Sequence, residues 1–243
     1  MKATKSSRTT SPPTRRTDFD SGAALAPVLA RKIADRLALA IAARGRATLA
    51  VSGGTTPKAM FEALSREAID WRRVTITLVD ERMAPPDHER SNHRLVSRTL
   101  LQNHAAAARF VPLYSEPGDA DTVAARAAAA IDAIERPFDV VVLGMGTDGH
   151  TASFFPEGTT LATVTDPACP TSVLAIEAPG AGEPRLTLTL PWLVEAGMIA
   201  LHIEGEAKNA VLAAALEPGP EAELPVRAVL RHTATPVEIF WAP

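Results

Sequence analysis

A histidine lies in a glycine-rich segment near the middle of the chain. Residues 144–153, GMGTDGHTAS, follow an apolar run and place three glycines within the six residues before His150. Small residues let backbone N–H groups face a developing oxyanion, and an imidazole can exchange a proton near neutral pH. The pattern predicts an active-site loop in which His150 transfers the proton and glycines such as Gly146 and Gly149 lie beside the substrate. Asp148 would either orient His150 or cap a following helix.

A second glycine-containing segment follows an earlier apolar run. Residues 52–57, SGGTTP, combine two glycines with hydroxyl side chains and a proline at the expected start of a helix. Glycines let backbone N–H groups approach an anion closely, and a helix N-terminus adds a favourable dipole. The segment fits a phosphate site, but a tight strand-to-helix turn with a threonine N-cap would have the same composition.

Arg82 ends a charged triplet, Asp-Glu-Arg, directly after another apolar run. Its planar guanidinium can bind a carboxylate, a phosphate or a developing oxyanion, and Asp80 or Glu81 would hold it in place. A surface cluster of ion pairs is the alternative. Downstream, Ser91 is expected to cap the next helix, while Asn92 would either face the cleft or support the loop.

Two more basic residues lie late in the chain. Arg185 begins a predicted strand, and Lys208 lies in the first turn of the helix predicted after Gly205. A lysine at a helix N-terminus is disfavoured by the helix dipole, so its presence points to a specific anionic partner. A solvated surface lysine is the alternative.

These residues must be positioned by regular elements, which hydrophobic periodicity predicts. Helices are expected over residues 21–44, 57–65, 91–101, 119–135 and 206–216. Strands are expected over residues 47–52, 74–79, 110–113, 138–144, 186–190, 198–203 and 237–242. Alternating strands and helices predict an α/β fold with a doubly wound, mostly parallel sheet flanked by helices. Ligands bind such sheets beyond the carboxyl ends of the strands. Three loops would meet there, over residues 52–57, 80–93 and 144–156.

Length and composition limit the number of domains, the kinds of partner and the disulfides that we expect. The 243 residues fit one domain, expected over residues 21–243, after a basic, Ser- and Pro-rich tail over residues 1–20 that we expect to be disordered. The net charge of -3 gives no reason to expect nucleic acid or an anionic membrane as a partner. Cys169 is the only cysteine, so no intrachain disulfide is possible. We expect a cytoplasmic protein, either a monomer or a small homo-oligomer.

Five segments in order resemble the 6-phosphogluconolactonase family, which is itself similar to the glucosamine-6-phosphate isomerase/deaminase family. They are SGGTTP, LVDER with SNH downstream, LGMGTDGHTASFFP, RLTLTLP and GEAK. The resemblance implies a Rossmann-like α/β sheet, a sugar phosphate lactone as the small-molecule substrate, and no cofactor or metal. It also implies a catalytic role for His150, with Arg82 facing the substrate. The phosphate would be bound by Ser52, Gly53, Gly54, Thr55, Arg185 and Lys208.

One position separates the two activities. The deaminases carry a glutamate five residues after the corresponding histidine, where this chain has Phe155, and they carry a tyrosine where it has Arg82. Isomerisation with deamination needs several acid–base groups, whereas opening a reactive lactone needs chiefly one base and an oxyanion site. The expected reaction is therefore hydrolysis of 6-phospho-D-glucono-1,5-lactone, a step of the pentose phosphate pathway. Glu157, two positions further on, would replace the missing glutamate only if the loop shifted.

The expected mechanism uses His150 as the base that activates water, with glycine-loop N–H groups and Arg82 stabilising the oxyanion. Two alternatives remain open. One is the amino-sugar phosphate deaminase, and the other is a sugar-phosphate sensor without catalytic activity. The scattered histidines show no metal-ligand spacing, which makes a zinc site the minority interpretation.

Overall fold

The structure is a computed structural model that describes residues 14–243. Within this part of the chain there are eight α-helices and two short 3₁₀ turns. The helices are α1 (Gly22–Arg44), α2 (Lys58–Leu64), α3 (Asn92–Thr99), α4 (Ala120–Asp132), α5 (Leu161–Val164), α6 (Leu190–Val194), α7 (Glu206–Leu216) and α8 (Val226–His232).

Ten strands form two sheets. The strands are β1 (Arg15–Asp18), β2 (Ala47–Val51), β3 (Val74–Leu78), β4 (Asp80–Arg82), β5 (Arg109–Val111), β6 (Val140–Leu143), β7 (Val173–Ile176), β8 (Arg185–Leu188), β9 (Ile199–Glu204) and β10 (Val237–Ala242). The larger sheet has the order β1-β10-β9-β6-β2-β3-β5, and all of its pairings are parallel. The predicted α/β fold with a mostly parallel sheet is confirmed.

The first helix shows why these residues fold as predicted. Ser21 caps its N-terminus by accepting a hydrogen bond from the backbone N–H of Ala24, and Gly45 ends it with a left-handed φ of 78°. The apolar side chains at four-residue spacing face the sheet and are fully buried, namely Leu25, Leu29, Ile33 and Leu37. Burial of this stripe fixes the helix against the strands.

The centre of the large sheet positions the predicted loops. Strands β2 and β6 are buried along their whole length, which fits strands covered by helices on both faces. Because β2, β3 and β6 are parallel neighbours, the loops after them emerge at one edge. Residues 52–57, the Asp80–Arg82 strand and residues 144–150 therefore come together.

The smaller sheet corrects the sequence interpretation. Asp80–Arg82, predicted as the start of a loop, is strand β4, which pairs antiparallel with β8, and β8 pairs antiparallel with β7. In this register Arg82 lies opposite Arg185 and Asp80 lies opposite Thr187. The triplet has no apolar alternation, so periodicity could not reveal a strand whose pairing partner lies far along the chain.

The N-terminus requires a second correction. Residues 15–18, placed in the predicted disordered tail of residues 1–20, form strand β1 at the edge of the large sheet, where they pair with β10. All four residues of β1 are exposed, so backbone hydrogen bonds to β10, and not burial, hold the strand. Residues 1–13 of the predicted tail lie outside the described residues.

Candidate active site

The loops at the carboxyl edge of the sheet enclose a cavity of about 290 Å³. All but two of the predicted site residues line this cavity, namely Ser52, Gly53, Gly54, Thr55, Arg82, Asn92, Gly146, His150, Arg185 and Lys208. The other two, Asp148 and Gly149, do not line the cavity but belong to the same loop as His150. The structure therefore brings the predicted residues together around one cavity.

His150 is oriented by Asp148. The imidazole Nδ1 lies 2.6 Å from Asp148 Oδ1, and the backbone N–H of His150 donates to the same oxygen at 3.1 Å. A carboxylate only accepts hydrogen bonds, so Nδ1 carries the hydrogen and Nε2 of the neutral ring is left to accept a proton. No helix begins among residues 151–160, so the alternative of Asp148 as a helix cap is wrong.

The same pair changes the acidity of Asp148. Partial burial raises the pKa of the Asp148 carboxyl, but the hydrogen bonds from His150 and the charge of its imidazolium form act in the opposite direction and outweigh burial. The pKa of Asp148 therefore lies below its ordinary value. An ionised Asp148 stabilises the positive charge that His150 acquires when it accepts a proton.

The two glycines of this loop provide space instead of donating to a ligand. The N–H of Gly146 donates to the carbonyl of His150 at 2.9 Å, and the N–H of Gly149 donates to the carbonyl of Gly146 at 3.1 Å. A Cβ at Gly146 would overlap the imidazole, and one at Gly149, where φ is 77°, would lie 2.6 Å from Leu224 Cδ2. These N–H groups are already engaged within the loop, which corrects their expected role as oxyanion donors.

Phe155 packs against His150. Its buried ring lies 4.3 Å from the imidazole of His150, centroid to centroid, with 30° between the planes. The guanidinium carbon of Arg185 lies 5.4 Å from the centroid of the same ring. Phe155 lines the cavity, whereas Glu157 does not. The position thus presents an aromatic surface, and the carboxylate two residues later does not replace it.

The cavity is also lined by the segment predicted to bind phosphate. Here Lys208 Nζ donates to Thr56 Oγ1 at 3.2 Å, which joins the first turn of α7 to residues 52–57. Burial lowers the pKa of Lys208, and the charge of Glu204 partly opposes this shift. Sequence reasoning missed Thr56 and His202 as lining residues. His202 is buried, its Nε2 lies 3.0 Å from Glu204 Oε1, and burial lowers its pKa.

Arg82 is held by Asn92, not by its acidic neighbours in sequence. Arg82 Nη1 donates to Asn92 Oδ1, and Asn92 Nδ2 donates to the carbonyl of Asp80 at 2.8 Å. The Asp80 carboxylate accepts a hydrogen bond from Ser153 Oγ at 2.6 Å. Asn92 thus both lines the cavity and supports its wall. The expectation that Asp80 or Glu81 holds the Arg82 side chain is wrong.

Glu81 points away from the cavity and organises the turn into α3. Its carboxylate accepts hydrogen bonds from the backbone N–H groups of Arg82, Asn92 and His93 and from Ser91 Oγ. Burial raises the pKa of Glu81, although these four hydrogen bonds act in the opposite direction. Ser91 accepts from the N–H of Arg94 at 3.2 Å, which confirms it as the helix cap.

Arg185 is more buried than Arg82 and Arg90, the other arginines that line the cavity. Its Nη2 donates to the carbonyl of Ala181 at 2.7 Å, and Nη1 lies 3.8 Å from Asp80 Oδ2. Burial lowers the pKa of Arg185, while the charges of Asp80 and Glu183 raise it. Neither motif nor periodicity indicated Glu183, which lies 3.8 Å from Arg185 Nη2, or Arg90, which pairs with Glu183 and lines the cavity.

Metal clusters and membrane-spanning helices are both missing from the described part of the chain. Among residues 14–243, no group of three or more His, Cys, Asp or Glu side chains is placed to hold a metal ion. Across the same residues, no helix combines the length and the apolar character needed to cross a membrane.

Comparison with known proteins gives the family. Residues 20–241 match the model described as glucosamine-6-phosphate isomerases/6-phosphogluconolactonase. The chain belongs to this family. The resemblance predicted from the motifs is therefore confirmed. The family description covers two activities.

Two curated relatives and one solved structure that carry the name 6-phosphogluconolactonase are similar to most of this chain. A 6-phosphogluconolactonase of Rhizobium meliloti is 57% identical over 225 residues, which cover 93% of this chain and 97% of that protein. One of Mesorhizobium japonicum is 56% identical over 219 residues, covering 90% of this chain and 91% of that protein. The crystal structure of a 6-phosphogluconolactonase from Shewanella baltica superimposes with a TM-score of 0.93 at 42% identity, covering 96% of this chain and all of that one.

Proposed function

We propose that this protein hydrolyses 6-phospho-D-glucono-1,5-lactone to 6-phospho-D-gluconate. The observation that carries the proposal is the pairing of His150 with Asp148 in a cavity that Lys208 and the glycine segment also line. A base and an anion-binding surface in one cavity suit a phosphorylated ester. The lactonase names of relatives up to 57% identical support the same activity.

The chemical step starts with neutral His150. Its Nε2 removes a proton from water as the water oxygen attacks the lactone carbonyl carbon, and Asp148 stabilises the resulting imidazolium. The carbonyl oxygen becomes an oxyanion, and Arg82, one of the cations that line the cavity, stabilises it. Because the N–H groups of Gly146 and Gly149 are engaged, this mechanism assigns oxyanion stabilisation to Arg82.

The intermediate then collapses. The bond between the carbonyl carbon and the ring oxygen breaks, and protonated His150 returns its proton to that oxygen, which becomes a hydroxyl. The acid formed ionises to the carboxylate, and His150 is neutral again. The phosphate takes no part in bond making. Held by Lys208, Arg185 and residues 52–55, it orients the lactone over His150.

A lactonase assay with freshly generated 6-phosphoglucono-1,5-lactone tests the proposal, with spontaneous hydrolysis subtracted. His150→Ala should lower kcat by about 10²-fold or more while ligand binding is largely kept. His104→Ala is the matched control, because His104 is exposed and does not line the cavity. Equal turnover in wild type and His150→Ala would exclude His150 as the base. Release of ammonia from glucosamine 6-phosphate would instead favour the deaminase.

The residues proposed to bind the phosphate are tested separately. Lys208→Ala and Arg185→Ala should raise KM more than they lower kcat, because the interactions they remove are made in both the ground state and the transition state. If KM is unchanged in both variants, the phosphate is bound elsewhere.

We further propose that the predicted single domain of residues 21–243 is one domain, which strand β1 extends back to Arg15. Support comes from the family match over residues 20–241 and from the shared cavity to which both sheets contribute. The predicted cytoplasmic location and small number of subunits stay predictions.

A further inference from the structure

Glu183 does not itself line the cavity, but it lies among three arginines that do. Its Oε2 is 2.9 Å from Arg90 Nη1, and its Oε1 is 3.5 Å from Arg82 Nε and 3.8 Å from Arg185 Nη2. We call Arg82, Arg90 and Arg185 the arginine cluster. One carboxylate is thus shared by three guanidiniums, all of which line the cavity.

The register of the small sheet explains why such a carboxylate is needed. Arg82 on β4 lies directly opposite Arg185 on β8. Like charges at opposed positions of an antiparallel pair destabilise it. Their side chains are only 19% and 6% exposed, so solvent screens the repulsion poorly. Two neighbouring carboxylates can offset it. Asp80 lies near Arg185, and Glu183 lies near both.

The two carboxylates hold different parts of the cluster. Asp80 is already hydrogen-bonded to Ser153 Oγ and lies 3.8 Å from Arg185 only. Glu183 Oε1 is buried without a hydrogen-bond partner, as is Arg82 Nε beside it. The interaction of Glu183 Oε1 with these guanidiniums is therefore one of charge, acting on Arg82 and Arg185 together. Without the charge of Glu183, less negative charge offsets the repulsion between Arg82 and Arg185.

We propose that Glu183 is a positioning residue that holds Arg82 and Arg185 in the cavity in the arrangement the substrate requires. This inference rests on the proposed function, in which Arg185 binds the phosphate and Arg82 stabilises the oxyanion. Glu183 contacts neither group of the substrate. It acts through the two arginines, so its loss affects substrate binding and turnover together.

Simple charge counting leads to the opposite expectation. Removing a negative charge from a cavity that binds an anion strengthens the attraction of the remaining cations for that anion. If the only effect of Glu183 were that its negative charge weakens the binding of the anionic substrate, Glu183→Gln would lower KM. If it positions the arginines, Glu183→Gln raises KM and lowers kcat. The direction of the change in KM therefore separates the two.

The first experiment measures lactonase kinetics of Glu183→Gln, Glu183→Asp and Glu67→Gln. Glu67 is the matched control, since its carboxylate pairs with Arg31 at 2.8 Å and is 19% exposed, compared with 25% for Glu183, and it does not line the cavity. We expect kcat/KM of Glu183→Gln to fall by about tenfold or more, with both KM and kcat affected, and that of Glu67→Gln to stay within about twofold. Glu183→Asp keeps the charge and should retain more activity than Glu183→Gln. Equal losses in both Glu183 variants, or a lower KM in Glu183→Gln, would overturn the proposal.

A binding measurement keeps this test separate from that of the function. Titration calorimetry with inorganic phosphate reports the anion site even if the wild type proves to have no lactonase activity. We expect the Kd for phosphate to rise by about fivefold or more in Glu183→Gln and to be unchanged in Glu67→Gln, with thermal unfolding confirming that each variant is folded. Unchanged or tighter phosphate binding in a folded Glu183→Gln would show that Glu183 does not position the arginine cluster.

Discussion

Gly53 is the residue whose replacement has the most sharply defined expected effect. A Cβ at this position would overlap the amide of Asn92, at 2.6 Å from Nδ2 and closer still to Oδ1 and Cγ. Gly53 has no left-handed φ, so Gly53→Ala causes no strain in its own backbone. The substitution therefore acts by displacing a buried side chain, and Asn92 is the support of Arg82.

The hydrogen bonds of Asn92 set the size of the effect. Displacement breaks the charged bond from Arg82 Nη1, for which we take about 2 kcal/mol, and the neutral bond to the Asp80 carbonyl, for which we take about 1 kcal/mol. The total of about 3 kcal/mol is divided between the free energy of unfolding and the stabilisation of the transition state. At about 1.4 kcal/mol per factor of ten, kcat/KM of Gly53→Ala should fall between about tenfold and 10²-fold.

A double-mutant cycle tests whether the effect passes through Asn92. In the Asn92→Ala background no amide remains to be displaced, so Gly53→Ala should change kcat/KM by less than about twofold there. Gly54→Ala provides the contrast. Gly54 has a φ of 90°, and no described atom would lie within 4 Å of a Cβ there, so its replacement strains the backbone independently of Asn92. The loss of kcat/KM in Gly54→Ala should therefore add to the loss in Asn92→Ala. Full additivity for Gly53→Ala would refute the reasoning.

Two other substitutions test the carboxylates around the site. Glu81→Gln should lower the free energy of unfolding in urea by about 1–3 kcal/mol, because an amide NH₂ would face donors such as the N–H of His93; equal stability would contradict this. The lowered pKa of Asp148 means that its charged form stabilises the fold at neutral pH, and that this contribution is lost as the pH falls through the lowered pKa. The unfolding temperature of Asp148→Asn should therefore depend less on pH in the acid range than that of the wild type. An equal fall of the unfolding temperature with decreasing pH in the two proteins would count against the His150–Asp148 pair.

Long periodic or strongly apolar segments could be predicted from the sequence. The stripe of α1 and the apolar runs of β2, β6 and β10 each indicate both the type of element and its approximate limits. The loops that these elements carry are then placed by the general geometry of parallel sheets, which is why His150 and Lys208 were found in one cavity. Local patterns therefore predict this part of the molecule well.

The contacts within the site could not be predicted in the same way. The pairing of β4 with β8 brings together residues about a hundred positions apart, and neither strand shows which partner or register it takes. Glu183 becomes a neighbour of Arg82 only through that pairing. The packing of Phe155 on His150 likewise depends on how residues 151–155 turn back after the histidine. Such contacts follow from tertiary structure and leave no short-range signal.

The three-residue length of β4 has a consequence for how this family can tolerate insertions and deletions. Successive residues of a strand face opposite sides, so Asp80 and Arg82 share the cavity side with their β8 partners Thr187 and Arg185, while Glu81 faces the turn into α3. A shift of one residue in this pairing would turn the guanidinium out and bring Glu81 in. A single-residue gain or loss next to Asp80 would therefore replace the guanidinium of Arg82 on this wall by the carboxylate of Glu81, although the large sheet and its core were left intact.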